Sequence, residues 1–222
     1  MTLKIFWQEP YRTRLKTHIA SVAGAEVTLA ETIFYALSGG QESDHGTIGG
    51  HSVLEARKAG AEILYRLGDD HGLGAGETVE VAIDWVRRYR LMRLHFAAEI
   101  VLELAYRSLP GIEKIGAHIA ADKARIDFLW PEPLTPRLPD FARSLAEIVA
   151  GDAAIVSAFS DAAHGRRYWE IPGFARVPCG GTHLRRAGEI GAVTLKRRNL
   201  GKGKERIEIA LADPGPADGA PP

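Results

Sequence analysis

The chain has 222 residues, 45% of them hydrophobic and 25% charged, which is the balance of a folded globular protein and excludes a disordered or fibrous chain. Its 28 basic and 28 acidic residues cancel, so net charge argues neither for nor against a polyanionic partner, and local charge has to decide. A single cysteine, Cys179, excludes an intramolecular disulfide. The opening MTLKIFWQEPY lacks an apolar signal core, and no apolar run approaches the ~20 residues a membrane helix needs, so the expected compartment is the cytoplasm with no membrane partner.

From Leu3 to Ile83 the chain reads as short β-like runs, namely Leu3–Trp7, Arg12–Val22, Glu26–Leu29, Ile33–Leu37 and Thr78–Ile83, parted by Gly, Asp and Pro. A small β domain over residues 1–84 follows. Between Trp85 and Ser108, Leu91, Leu94, Ala98, Val101, Leu102 and Ala105 recur at helical spacing, and Pro110-Gly111 stops the helix. Beyond it, Ile115–Trp130 reads as strands, Leu138–Ala150 as an amphipathic helix, and Ala154–Ala163 and Arg167–Trp169 as strand and turn. A second domain over 85–212 results, and the Pro, Gly, Ala and Asp-rich tail 213–222 reads as disordered.

Two segments carry metal chemistry. Cys179-Gly180-Gly181-Thr182-His183 sets a thiolate and an imidazole four residues apart, and its glycines would let the backbone take positive φ and curl both ligands to one ion. On the helix, His95 and Glu99 stand at i and i+4, on one face. The four together offer two nitrogens, one sulfur and one carboxylate, a set that tetrahedral zinc accepts.

The two segments together resemble the AlaX group, the freestanding relatives of the editing domain of alanyl-tRNA synthetase. That family carries a helical H-x-x-x-H and a later CGGTH; Cys179–His183 matches the second throughout, whereas the first is matched at His95 and has Glu99 in place of its second histidine. Thr32-Ile33-Phe34-Tyr35-Ala36 through Gly39-Gly40-Gln41 to Asp44-His45-Gly46 is similar to the family's T-x-F-Y-P…G-G-Q…D-x-G segment, which marks the two-domain form. Similarity runs over about residues 3–211.

The resemblance implies an α+β protein. A small N-terminal β-barrel-like domain with a Gly-rich loop would precede an α/β editing domain whose metal-ligand helix packs on an antiparallel sheet. It implies a metal-dependent aminoacyl-tRNA deacylase that edits Ser-tRNA(Ala), and Gly-tRNA(Ala) with it, using one Zn2+ per chain and no nucleotide cofactor. Metal ligands would be His95, Cys179 and His183. Glu99 either closes the shell, in which case a non-catalytic, metal-stabilised tRNA-binding module is the alternative, or leaves an open position and serves as general base. Gly39, Gly40 and Gln41 would help hold the acceptor end of tRNA(Ala). The family's side chains that recognise the amino acid come from the segment around Lys114–His118, where no obvious polar candidate stands.

Basic residues gather at Arg87-Arg88-Tyr89-Arg90 with Arg93, and at Lys196–Arg206, where glycines interleave. Phosphate contacts are expected of Arg87 in the first, and of Lys202, Lys204 and Arg206 in the second.

Overall fold

The computed structural model describes residues 2–212; the tail 213–222 that composition assigns to disorder lies outside them. The architecture is mixed α+β, mostly sheet with two long helices. Among the described residues, no helix is long and apolar enough to cross a membrane. The described residues divide into two compact units, one made of residues 2–38 and 42–89, the other of 39–41 and 90–212.

Strands of the first unit are β1 (Leu3–Lys4), β2 (Arg14–Ala23), β3 (Glu26–Leu29), β4 (Glu31–Thr32), β5 (Gly46–Ile48), β6 (His51–Ser52), β7 (Glu55–Ala59), β8 (Glu62–Arg66) and β9 (Thr78–Ile83). Seven of them form a sheet in the order β6-β5-β9-β2-β3-β8-β7, while β1 and β4 pair in parallel. The sheet curls because β2 changes partner along its length. Arg14–His18 pair with β9, Ile19–Ala23 pair with β3, and a bulge sits between Ile19 and Ser21. Alternate residues Leu15, Thr17 and Ile19 of β2 point into a core with Val27, Leu29, Ile48, Ile63, Tyr65 and Val81.

Residues 33–37 are apolar enough to read as a strand, yet they form none. Ile33, Phe34, Tyr35 and Ala36 are buried, so their backbone groups need partners other than water. Side chains supply them: Thr32 Oγ1 accepts from Phe34 N (3.0 Å), Asp44 Oδ2 from Tyr35 N (2.6 Å), and Arg88 Nη2 donates to the Ile33 carbonyl (2.6 Å). Asp44 and Arg88 are themselves fully buried and joined through Nε–Oδ1 at 2.7 Å and a second, parallel contact.

Helix α1 (Trp85–Ser108) begins where Asp84 Oδ1 caps the Arg87 N–H at 3.0 Å and ends before Gly111, at φ +87°. Every residue from Leu91 to Ala98 is buried, so the helix is enclosed on all sides there. The second unit continues with β10 (Glu113–Ile119), β11 (Ala124–Leu129), α2 (Leu138–Gly151), β12 (Val156–Asp161), β13 (Arg166–Ile171), β14 (Ala175–Pro178), β15 (Val193–Gly201) and β16 (Lys204–Leu211). They build two antiparallel sheets, β10-β11-β16-β15 and β12-β13-β14. Phe96 of α1 meets Trp169 of β13 edge-on at 5.0 Å, which seats the helix against the three-stranded sheet.

Candidate metal centre

His95 comes from the buried stretch of α1, and Cys179 and His183 come from the loop that leaves β14. Pairing continues one residue past that strand, Cys179 N donating to the Arg167 carbonyl at 2.9 Å, so the thiol enters from a fixed position. Arg167 Nη1 then donates to the Gly181 carbonyl at 3.0 Å and holds the loop's middle. The ligand atoms of His95, Cys179 and His183 all lie within 4.8 Å of one another. His95 Nε2 stands 3.3 Å from Cys179 Sγ, and the two imidazoles stack at 5.4 Å.

The second glycine of the loop is required by space. Neither Gly180 nor Gly181 has positive φ, so the expectation of a left-handed curl fails. A Cβ on Gly181 would instead fall 2.6 Å from His95 Nε2, whereas one on Gly180 would meet nothing within 4 Å.

Polar atoms in the site are satisfied on one side only. Ser157 Oγ lies 2.8 Å from His183 Nδ1, while His183 Nε2 is buried with no hydrogen-bond partner. Burial lowers the pKa of both histidines, and His95 and Arg167 push His183 further down, so both imidazoles stay neutral as metal ligation demands. Burial, then the Glu99 carboxylate, raises the Cys179 thiol to about 12, which keeps it protonated until a cation compensates. Zinc bonds of about 2.0–2.3 Å in tetrahedral array put ligand atoms roughly 3.3–3.8 Å apart, the separation seen between His95 and Cys179. Two buried neutral imidazole nitrogens and one half-buried sulfur, converging, with a free ligand atom on His183, fit a divalent ion.

Glu99 stands outside this trio. Its Oε2 accepts the Trp169 indole N–H at 2.9 Å, and its charge acts on both His95 and Cys179. Gln41, expected in a Gly-rich loop of the N-terminal domain, lies in the second unit. It bridges in parallel to Ile119, and Ile119 N donates to the Gly40 carbonyl at 2.8 Å. Only glycine fits position 40, where φ is +87° and a Cβ would sit 2.5 Å from the Ala117 carbonyl oxygen. Gly39 has φ +61° and an open surrounding. The Gln41 side chain is 1% exposed; its Nε2 donates to Thr182 Oγ1 at 3.0 Å, and its Oε1 is buried without a partner. An amide oxygen left so costs on the order of 1–3 kcal/mol.

The first basic cluster is largely structural. Arg88 and Arg93 are buried, Arg93 Nε donating to the Ile190 carbonyl at 2.9 Å, and the half-buried Arg90 donates through Nε to the Ala121 carbonyl at 2.9 Å, so all three are engaged within the protein. Arg87 pairs with Glu42 at 2.6 Å. The second cluster is the β15–β16 hairpin: Lys202 and Lys204 are exposed at its turn, and Arg206 is bound to Asp127 at 2.6 Å. Ser157, Arg167 and Trp169, which brace the centre, carry no motif of their own in the sequence.

Residues 169–208 match the family model described as threonyl and alanyl tRNA synthetase second additional domain. Over 95% of this chain and 98% of the relative, the sequence is 32% identical to an alanyl-tRNA editing protein AlaX-M of Pyrococcus horikoshii. The chain belongs to the AlaX-M family. A second AlaX-M, of Saccharolobus solfataricus, is 32% identical over 93% of the chain and 98% of its own length. The alanine–tRNA ligase of Ignicoccus hospitalis is 30% identical over 94% of the chain, which spans 26% of that ligase. AlaX-M proteins are thus matched end to end, and the ligase over a single segment.

Proposed function

We propose that the chain is a trans-editing deacylase that hydrolyses the aminoacyl ester of mischarged tRNA(Ala), with Ser-tRNA(Ala) and then Gly-tRNA(Ala) as substrates. The reading is carried by the convergence of His95, Cys179 and His183 on one point, in a chain similar throughout its length to proteins named for alanyl-tRNA editing. His95, Cys179 and His183 would hold one Zn2+, which when bound supplies Lewis acidity to the ester carbonyl and its attacking water. Three protein ligands suit a catalytic rather than a closed structural site.

Glu99 is the proposed general base. Trp169 holds one carboxylate oxygen, which orients the other to take a proton from water beside the centre. Gly39, Gly40 and Gln41 would meet the acceptor end, while Arg87 and the Lys202, Lys204 and Arg206 hairpin would meet its phosphates. Division of labour between an N-terminal domain over 1–84 and an editing domain over 85–212 belongs to the same proposal. The competing reading, a binding module with Glu99 closing the shell, is disfavoured by the place of Glu99 outside the trio.

Deacylation of Ser-tRNA(Ala), measured with and without chelator, tests the proposal together with elemental analysis of the parent and of Cys179→Ala and His183→Ala. Chelator-sensitive hydrolysis and metal loss in both variants are expected. A parent that binds metal and tRNA but leaves the ester intact overturns it.

A further inference from the structure

We infer that Gln41 is the residue that selects for a hydroxyl on the aminoacyl group, its amide oxygen accepting a hydrogen bond from the seryl side chain. The inference rests on the deacylase reading above and adds a specificity determinant to it.

Three observations converge. Gln41 is held at both ends, its backbone bridged to Ile119 and its Nε2 donated to Thr182, the residue between Gly181 and the ligand His183. Its Oε1 is therefore aimed rather than free to rotate. That oxygen and the His95 ring crowd one place: the Cβ that Gly181 lacks would lie 3.1 Å from Gln41 Oε1 and 2.6 Å from His95 Nε2. Finally, Oε1 is buried without a partner, although buried amide oxygens in folded proteins are nearly always paired. An acceptor fixed beside the reacting centre and left unpaired by its own protein is suited to a ligand donor. A hydroxyl provides that donor; hydrogen or methyl in its place leaves the oxygen unmet. Discrimination by an unpaired buried group is stronger than any obtainable from apolar fit.

The test uses the full chain and Gln41→Met, similar in volume but without the amide, with deacylation measured on Ser-tRNA(Ala) and Gly-tRNA(Ala). Binding of seryl and alanyl amides of 3′-amino-3′-deoxyadenosine, measured by calorimetry, gives a readout independent of turnover. The parent should favour serine in both. In Gln41→Met the ratio of serine to glycine hydrolysis, and of seryl to alanyl amide binding, should fall at least about tenfold, with metal content retained. Gln41→Asn, which withdraws the amide by one methylene, should lose the same preference, and it decides the matter if the methionine variant does not fold. Unchanged preference overturns the inference. So does an equal loss for serine and glycine, which would put Oε1 on the ammonium group common to both. If the parent hydrolyses neither ester, the deacylase reading falls. The amides then judge Gln41 alone: a seryl preference abolished by the variants sustains its role, and equal binding ends it.

Discussion

Gly181→Ala separates a spatial role for the CGGTH glycines from a conformational one. The new methyl would stand 2.6 Å from His95 Nε2 and 2.8 Å from Cε1, against about 3.4 Å for ordinary contact. Restoring contact needs the ring and the loop to part by about 0.8 Å, because carbon contacts relax only near 3.5–4.0 Å. The ring has little room, being 5% exposed and stacked on His183. Such overpacking costs about 1–3 kcal/mol, or a fall in Tm of roughly 2–12 °C for a chain of this size. Displacement of a ligand nitrogen by this distance should also weaken metal binding by about 10–100-fold. Zinc competition against a chromophoric chelator and thermal unfolding both read the effect, with Gly180→Ala as the control because nothing lies within 4 Å of its added carbon. Equal metal affinity and Tm in the two variants would refute the reasoning.

Arg88→Met should destabilise the protein by about 3–5 kcal/mol in denaturant unfolding, since it strands the buried Asp44 carboxylate and the Ile33 carbonyl. Glu205 is held below the usual carboxylate range by its Arg197 pair at 2.5 and 2.6 Å, which outweighs the opposing effect of burial. Its contribution to stability is therefore full above the unfolded value of about 4.3 and drains as pH falls through the depressed folded one, so Glu205→Gln should flatten the acid limb of a stability–pH curve. Lys202→Ala with Lys204→Ala should weaken tRNA binding and reduce its log–log salt slope by up to about 2, with no change in Tm; adding Arg206→Ala should lower Tm as well, because Arg206 is tied to Asp127.

Helix α1 was legible to the residue because Pro110-Gly111 ends a long apolar period, and Thr78–Ile83 because polar and apolar residues alternate. The β5–β8 region was not. β7 buries Ala56 alone among five residues, so it carries no apolar alternation to detect. Residues 33–37 misled in the opposite direction: an apolar run implies burial, and only Thr32 beside it, with Asp44 and Arg88 farther along the chain, decides that the buried backbone is irregular. The basic run after Lys196 reads in sequence as a phosphate-binding surface, and only strand pairing reveals that Arg197, Arg198 and Arg206 stand beside Glu205, Glu208 and Asp127. In the candidate site, residue chemistry revealed His95, Cys179 and His183, since few side chains ligate metals. Trp169 under Glu99 and Ser157 under His183 are ordinary strand residues whose roles exist only once β12 and β13 are paired.

The pairing of Asp44 with Arg88 also bears on how such a protein can be assembled from, or divided into, parts. A fragment cut after Ile83 would keep every strand of the curled sheet and still carry the Asp44 carboxyl in its interior without the guanidinium that pairs with it. The cation it requires is encoded in the opening turn of α1, together with Trp85 and Tyr89, which pack with Tyr11. Any transplant of the N-terminal unit, by recombination in nature or at the bench, therefore has to take that turn along and splice within a helix rather than in the loop before it.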